Sequence, residues 1–261
     1  MTPRQNLAAA VRPFAPDGKL LAEHIAPFDA LADALGLPRD DAVVIPAPVQ
    51  QVGLLPSDFA EVAADLACSV AQIRAVWEVE SGGGWFTDVR ADILALDGPG
   101  GFIDGPNLPK ILFEAHVFDR ETNGRFRQSH PNLSSKAWNR RLYVGGVGEW
   151  QRLYNAMKLD REAALRSASV GGAQIMGFNF DKAGFATVDA YWEAMKTSER
   201  AHLQAFAAFI RNSGLLAALR KISTVHADCV TFARGYNGSG YAKNSYHVKI
   251  ARAYKKWSAR A

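Results

Sequence analysis

The stretch WEVESGGGWF, Trp77 to Phe86, carries two carboxylates two residues apart, and three glycines follow at once. At about 100° per residue, a helix over AQIRAVWEVES puts Ile73, Val76, Trp77 and Glu80 on one stripe. Glu78 then points roughly the opposite way, toward solvent. A carboxyl at the edge of an apolar surface is expensive to ionise, so its pKa rises. The partial negative charge at a helix C-terminus pushes in the same direction. A carboxylic acid that keeps its proton near neutral pH is what glycoside cleavage needs as a general acid. The structural alternative is that Glu80 caps a buried helix end or pairs with an arginine, and this segment alone favours that alternative.

Two distant segments add to it. In SASVGGAQIMG, Ser167 to Gly177, small residues let the backbone pass close to another group, and Ser169 and Gln174 offer a hydroxyl and an amide. In ARGYNGSGY, Ala233 to Tyr241, Tyr236 and Asn237 precede Gly238 at an expected helix end. Neutral amides, hydroxyls and aromatic faces are the groups that bind sugars. Each segment alone is a common turn or helix terminus.

In this order, the pieces Glu80-Ser81, Gly171 to Ile175 and Tyr236-Asn237-Gly238 resemble the lysozyme-like superfamily, including goose-type lysozymes and soluble lytic transglycosylases. A closer resemblance is to the N-acetylmuramidase domain of phage endolysins. It covers most of residues 52–257 through AVWEVESGGG, LPKILFEAHVFDRETNGRF, HPNLS, LDREAALRSASVGGAQIMGFN, AMKTSERAHLQAFAAFI and FARGYNGSGYAKNSYHVKIARAY. The resemblance implies a mainly α, lysozyme-like catalytic domain with a cleft and few short strands. It implies cleavage of the β-1,4 bond after N-acetylmuramic acid in peptidoglycan glycan strands, with Glu80 as the catalytic acid. Ser169, Gln174, Tyr236 and Asn237 are the expected saccharide-binding residues. Glu114 and His116 also match family positions. Read as alternate residues of one helix they cannot both face the cleft, so one supports the site and the other packs or pairs.

Family members run from the Glu-Ser-Gly-Gly motif directly into a Gly-Phe and Asp-Gly turn. Here that turn is Gly101-Phe102-Ile103-Asp104-Gly105, which makes Asp104 the first candidate for a second carboxylate. The insertion WFTDVRADILALDGPG intervenes and brings Asp88, Asp92 and Asp97 as rivals. It is expected to add a hairpin or flap beside the cleft. Two other readings stay open at this level. A lytic transglycosylase would use one glutamate and leave an anhydromuramic end, and a non-catalytic wall-binding phage module would keep the fold alone.

These residues need elements to hold them. Helical spacing predicts a hairpin of residues 5–14 and 19–37, and residues 1–45 as a short helical extension with a wall-binding role as one option. Pro46, Pro48 and Pro56 mark a linker over 46–56, with the catalytic domain at 57–261. Ser57 and Asp58 read as an N-cap backed by Glu61. Further helices are expected at Val70–Ser81, from Ile111 to about Glu121, and at Glu149–Leu159, Arg161–Ser167, Val188–Thr197, Ser198–Asn212, Leu215–Ser223, Asp228–Arg234 and Tyr246–Lys256. A surface loop is expected at 125–148.

The chain of 261 residues is 48% hydrophobic, which suits one large domain with an appendage. It has no apolar run long enough to span a membrane. Its first residues do not read as a cleaved leader. Together with the resemblance to phage endolysins, this implies a monomer held in the host bacterium's cytoplasm until holin-type release to the periplasm or wall, with carriage in a virion as the other route. Cys68 and Cys229 match no metal or redox spacing, and the six histidines form no ligand pair, so neither metal nor cofactor is expected. Net charge is +4. Beyond Asp228 there is no acidic residue, only Arg234, Lys243, Lys249, Arg252, Lys255, Lys256 and Arg260. That bias favours a polyanionic partner. With the glycosidase motifs present, it points to the anionic envelope through the C-terminal helix rather than to nucleic acid.

Overall fold

The computed structural model describes residues 7, 10, 11, 22–35, 53–81, 86, 87 and 108–260. The chain divides into two compact units, Met1–Gln50 and Gln51–Ala261. In the first, helix α1 spans Ala22–Ala34 and carries Pro27 inside it. Most of the predicted partner helix at 5–14, and residues 46–52 of the predicted linker, lie outside the described residues.

The second unit is built from helices α2 (Pro56–Asp65), α3 (Val70–Ser81), α4 (Ala115–Glu121), α5 (Gly148–Met157), α6 (Arg161–Arg166), α7 (Val188–Thr197), α8 (Glu199–Asn212), α9 (Leu216–Arg220), α10 (Val230–Asn237) and α11 (Tyr246–Ser258). Five short strands accompany them: β1 (Phe86–Thr87), β2 (Leu108–Pro109), β3 (Ile111–Phe113), β4 (Ala168–Val170) and β5 (Ile175–Met176). The mainly helical expectation holds. Strands β1 and β2 pair antiparallel, Phe86 opposite Pro109, so the start of the insertion is stitched to the chain just ahead of β3.

Two expectations need correction. Residues 111–113 are a strand, not the first turn of a helix; the helix begins at Ala115. A three-residue apolar run fits either state, and pairing with β4 decides it. Helix α2 also opens earlier than expected. Pro56 is its first residue, where a missing N–H costs nothing. The capping carboxylate is Asp58, which accepts the Leu55 N–H at 2.8 Å. Glu61 does not cap; it pairs with Arg200.

Helix α3 runs through the core with Ile73, Ala75 and Val76 fully buried. Its buried Gln72 is satisfied, because Nε2 donates to the Arg220 and Ile222 carbonyls at 2.9 and 3.1 Å. Trp77 meets Phe206 edge to face at 5.4 Å. Helix α11 packs against α3.

Strands β3, β4 and β5 form one antiparallel sheet in that order. Ile111, Phe113, Ala168, Val170 and Ile175 face the core. Leu112, Ser169 and Met176 are paired across the strands and so share the other face. Helix α5 lies against the sheet, and its Glu149 is fully buried. That carboxylate accepts the N–H groups of Phe113 (3.1 Å), Val144 (2.7 Å) and Gly145 (3.0 Å). Arg152 Nη1 donates to it at 2.7 Å and to the Phe113 carbonyl at 2.9 Å. The pair thus fastens β3 to the loop at 144–145. Ahead of it, Asp119 accepts from Arg127 and Ser134, so the first part of the expected surface loop is pinned to α4.

Removing one member of a buried ion pair strands the other without a counter-charge. Arg152→Met is therefore expected to lower the unfolding free energy by about 3–5 kcal/mol in a denaturant titration. A loss under about 1 kcal/mol, the range of a surface pair, would show that the pair does not hold the sheet.

Candidate active site

Glu80 is half-buried near the end of α3, on the stripe that Ile73, Val76 and Trp77 bury. Glu78 is exposed and accepts from Lys256 Nζ at 2.7 Å and from Trp257 Nε1 at 2.8 Å. The helical phase thus separates the two glutamates as expected. Burial pushes the Glu80 carboxyl up to about 7, against the opposing effects of an Asn237 hydrogen bond and the Lys249 charge. Asn237 Nδ2 donates to Glu80 Oε1 at 3.0 Å.

Asn237 is the last residue of α10. Gly238 ends that helix at φ +67°, ψ −161°, a conformation essentially reserved for glycine. A Cβ there would meet nothing within 4 Å, so the requirement is the backbone angle and not space. The apolar face of α10 anchors it. Tyr236 stacks on Phe232 at 5.7 Å and meets Phe206 and Phe209 edge to face. The Tyr236 hydroxyl donates to the Ala173 carbonyl at 3.0 Å. That bond ties the Glu80 end of the site to the β4–β5 turn.

The turn itself is tightly held. Gly171 lies at φ +74°, and a Cβ there would come within 2.8 Å of the His202 ring. His202 Nδ1 accepts the Gly172 N–H at 3.2 Å, and its other ring nitrogen faces the Met195 carbonyl at 2.6 Å. Those partners require the neutral ring with its proton on Nε2, and burial pushes its pKa down to about 4. Gln174, at φ +49°, donates to the Lys110 carbonyl at 3.1 Å and to the Gly171 carbonyl at 2.7 Å. It accepts from Ser169 Oγ at 2.9 Å. The amide protons of Gln174 are therefore spent within the protein.

Glu114 and His116 are not alternate residues of one helix, contrary to the expectation from sequence. Glu114 is the extended residue before α4. Its Oε2 accepts from the Tyr143 hydroxyl and lies 3.2 Å from His116 Nδ1. Both side chains share one polar cluster, and Tyr143 joins it. Asp104 and its rivals Asp88, Asp92 and Asp97 lie outside the described residues, as do the three glycines.

Sequence reasoning missed Lys249, Tyr246, His202 and Tyr143. Tyr246 and Lys249 are i and i+3 on α11 and respond to Glu80 or act on it electrostatically. Their shared helical spacing was the available signal. His202 falls on the apolar stripe of α8 with Leu203 and Phe206, where a lone histidine gives no sign of its partner. A cavity of about 500 Å³ opens elsewhere on α3, lined by Arg74, Trp77, Glu78, Ser81, Glu199 and Trp257 among others; Glu80 is not part of its wall. Among the described residues, no three His, Cys, Asp or Glu side chains converge as a metal site, and no helix is long and apolar enough to cross a membrane.

Residues 69–258 match the family model for Muramidase, described as N-acetylmuramidase. Among solved structures, the chain is similar to the crystal structure of Burkholderia AP3 phage endolysin. The two are 29% identical with a TM-score of 0.65, over 99% of this chain and 86% of that one. No curated protein matches. The matched segment holds Glu80, the Gly171–Gln174 turn and the Tyr236–Asn237 helix end, and the chain belongs to the N-acetylmuramidase family, lysozyme-type glycoside hydrolases that act on peptidoglycan.

Proposed function

We propose that Glu80 is the general acid of a muramidase that cleaves the β-1,4 bond between N-acetylmuramic acid and N-acetylglucosamine. The observation that carries this is a half-buried carboxyl whose burial lifts its pKa to about 7. Such a group keeps its proton in about half of the molecules at pH 7 and can deliver it to the leaving glycosidic oxygen. After transfer the new carboxylate is held by the Asn237 amide and by the charge of Lys249, which favour the ionised form. Asn237 is then a positioning residue for the acid. Gln174, Ser169 and Tyr236 fix the turn that borders the site, and the saccharide meets what this framework leaves exposed. Asp104 is the second carboxylate in this reading, assigned by its place in the sequence Gly101-Phe102-Ile103-Asp104-Gly105; it activates the attacking water or stabilises the oxocarbenium-like charge.

Release to the wall through a phage-encoded membrane hole accounts for substrate access. The basic stripe of α11 then meets the anionic envelope. Lys249, Arg252 and Lys256 line a groove of about 430 Å³ together with Glu78. Raising salt from about 0.05 to 0.5 M is expected to weaken binding to anionic envelope fragments steeply, as screening shortens the reach of these charges. Binding that ignores salt would remove the electrostatic contact.

Glu80→Gln is expected to lower the release of reducing ends from purified peptidoglycan by at least about 100-fold, and Asp104→Asn by a comparable factor. Mass spectrometry of the wild-type digest should show free reducing muramic ends. Anhydromuramic ends would instead identify a transglycosylase, and full activity of Asp104→Asn would leave Glu80 as the sole carboxyl in the reaction.

Only the protonated acid donates, so activity should fall as pH rises through about 7. Lys249→Met removes a charge that favours the anion, so this alkaline limb should move to higher pH. A limb that stays in place, or moves down, would exclude Lys249 from setting the acid's proton affinity.

A further inference from the structure

Strand β3 ends at a group of side chains that the proposed mechanism does not use. Hydrogen bonds and chain neighbours connect this strand to Glu80. Glu80 meets Asn237, the neighbouring Tyr236 holds Ala173, and Gln174 bonds the Lys110 carbonyl at the start of β3. Lys110, Leu112 and Glu114 alternate along the strand and point to one side, exposed or half-buried while Ile111 and Phe113 are buried. At the far end, about 13 Å along the strand from Lys110 at roughly 3.3 Å per residue, stand Glu114, His116, Tyr143 and Trp138.

Trp138 is 59% exposed, more than any other described tryptophan. Exposing a large indole forgoes the stabilisation that burial would give. Its ring is nevertheless held in place. It lies 6.2 Å from the Tyr143 ring at 46°, and its indole N–H acts on the Tyr143 hydroxyl oxygen. Tyr143 in turn donates to Glu114 and sits 5.8 Å from the Arg152 guanidinium. Arg152 belongs to the buried pair with Glu149 that also clamps Val144 and Gly145. The result is an exposed aromatic face beside a polar cluster of one carboxylate, one imidazole and one phenol. An aromatic face flanked by hydrogen-bonding groups is the chemistry that recognises a pyranose ring, whose C–H face packs on the ring while its hydroxyls meet the polar rim.

We propose that Trp138 and Tyr143, propped by Glu114, form a distal saccharide subsite that takes an N-acetylhexosamine of the same glycan strand, several sugars from the cleaved bond. This rests on the reading that Glu80 cleaves that strand. Trp138 sets affinity for long strands and takes no part in the chemical step. A second copy of this chain, or another protein, seated on Trp138 is the competing occupant.

The test uses the full-length protein on peptide-free glycan strands of long and short length. Trp138→Ala is expected to raise KM for long strands about tenfold, with kcat within about twofold and kinetics on short fragments unchanged; Trp138→Phe should retain most of the affinity. An unchanged KM for long strands, or an equal loss on short ones, overturns the subsite. A second measurement removes dependence on turnover. On the Glu80→Gln background, long strands should change tryptophan fluorescence, and adding Trp138→Phe should abolish the change. A signal that survives Trp138→Phe also overturns the proposal. The Glu80→Gln protein separates the two readings: if it still cleaves, the acid assignment fails, while the fluorescence result continues to decide the subsite.

Discussion

A carboxyl keeps its proton near neutral pH only where water solvates its anion poorly, and for Glu80 that environment is made by elements far apart in sequence. Helix α3 contributes the apolar stripe. The Asn237 amide comes from 157 residues downstream, and Tyr246 and Lys249 come from the helix after that. Burial raises the proton affinity, while the amide and the ammonium group pull it back. The balance matters more than either influence. Burial alone would give a weaker acid, and full solvation would give one already ionised at neutral pH.

Each of these partners has a reason to be where it is. Tyr236 packs among Phe206, Phe209 and Phe232, which fixes α10 in rotation and aims Asn237 at the acid. Its hydroxyl carries the same rigidity to the β4–β5 turn. That turn sits on His202, whose neutral ring leaves an acceptor for Gly172. On the other side of the sheet, Glu149 and Arg152 do comparable work for β3 and the loop bearing Tyr143. The open face of the sheet is thus flanked by two polar clusters, each tied to the core by hydrogen bonds.

Much of this was legible in the residues, and for identifiable reasons. The phase of one amphipathic helix separated Glu80 from Glu78, because both lie on the same element and local geometry decides. The helices at Val70–Ser81 and Val188–Thr197 have the expected bounds, since apolar period and caps are local signals. The strand at Ile111–Phe113 was misread because its partner is Ala168–Val170, and no local pattern in three apolar residues reveals a pairing at that distance. The reading of Glu114 and His116 failed with it. Asn237 was expected to meet sugar, yet its amide reaches Glu80, and Gln174 spends its amide on two backbone carbonyls. Residue type identifies a hydrogen-bonder; only the folded neighbourhood says which acceptor comes within reach.

The claim on which the rest depends is that Glu80 ionises near neutrality in the folded protein. Carboxyl carbon-13 NMR on protein labelled at glutamate, with the Glu80→Gln spectrum subtracted, follows that one group. A titration midpoint of about 7 is the predicted result. A midpoint near 4.5, the ordinary value for a glutamate, would contradict the account, because the group would then have lost its proton before the reaction begins.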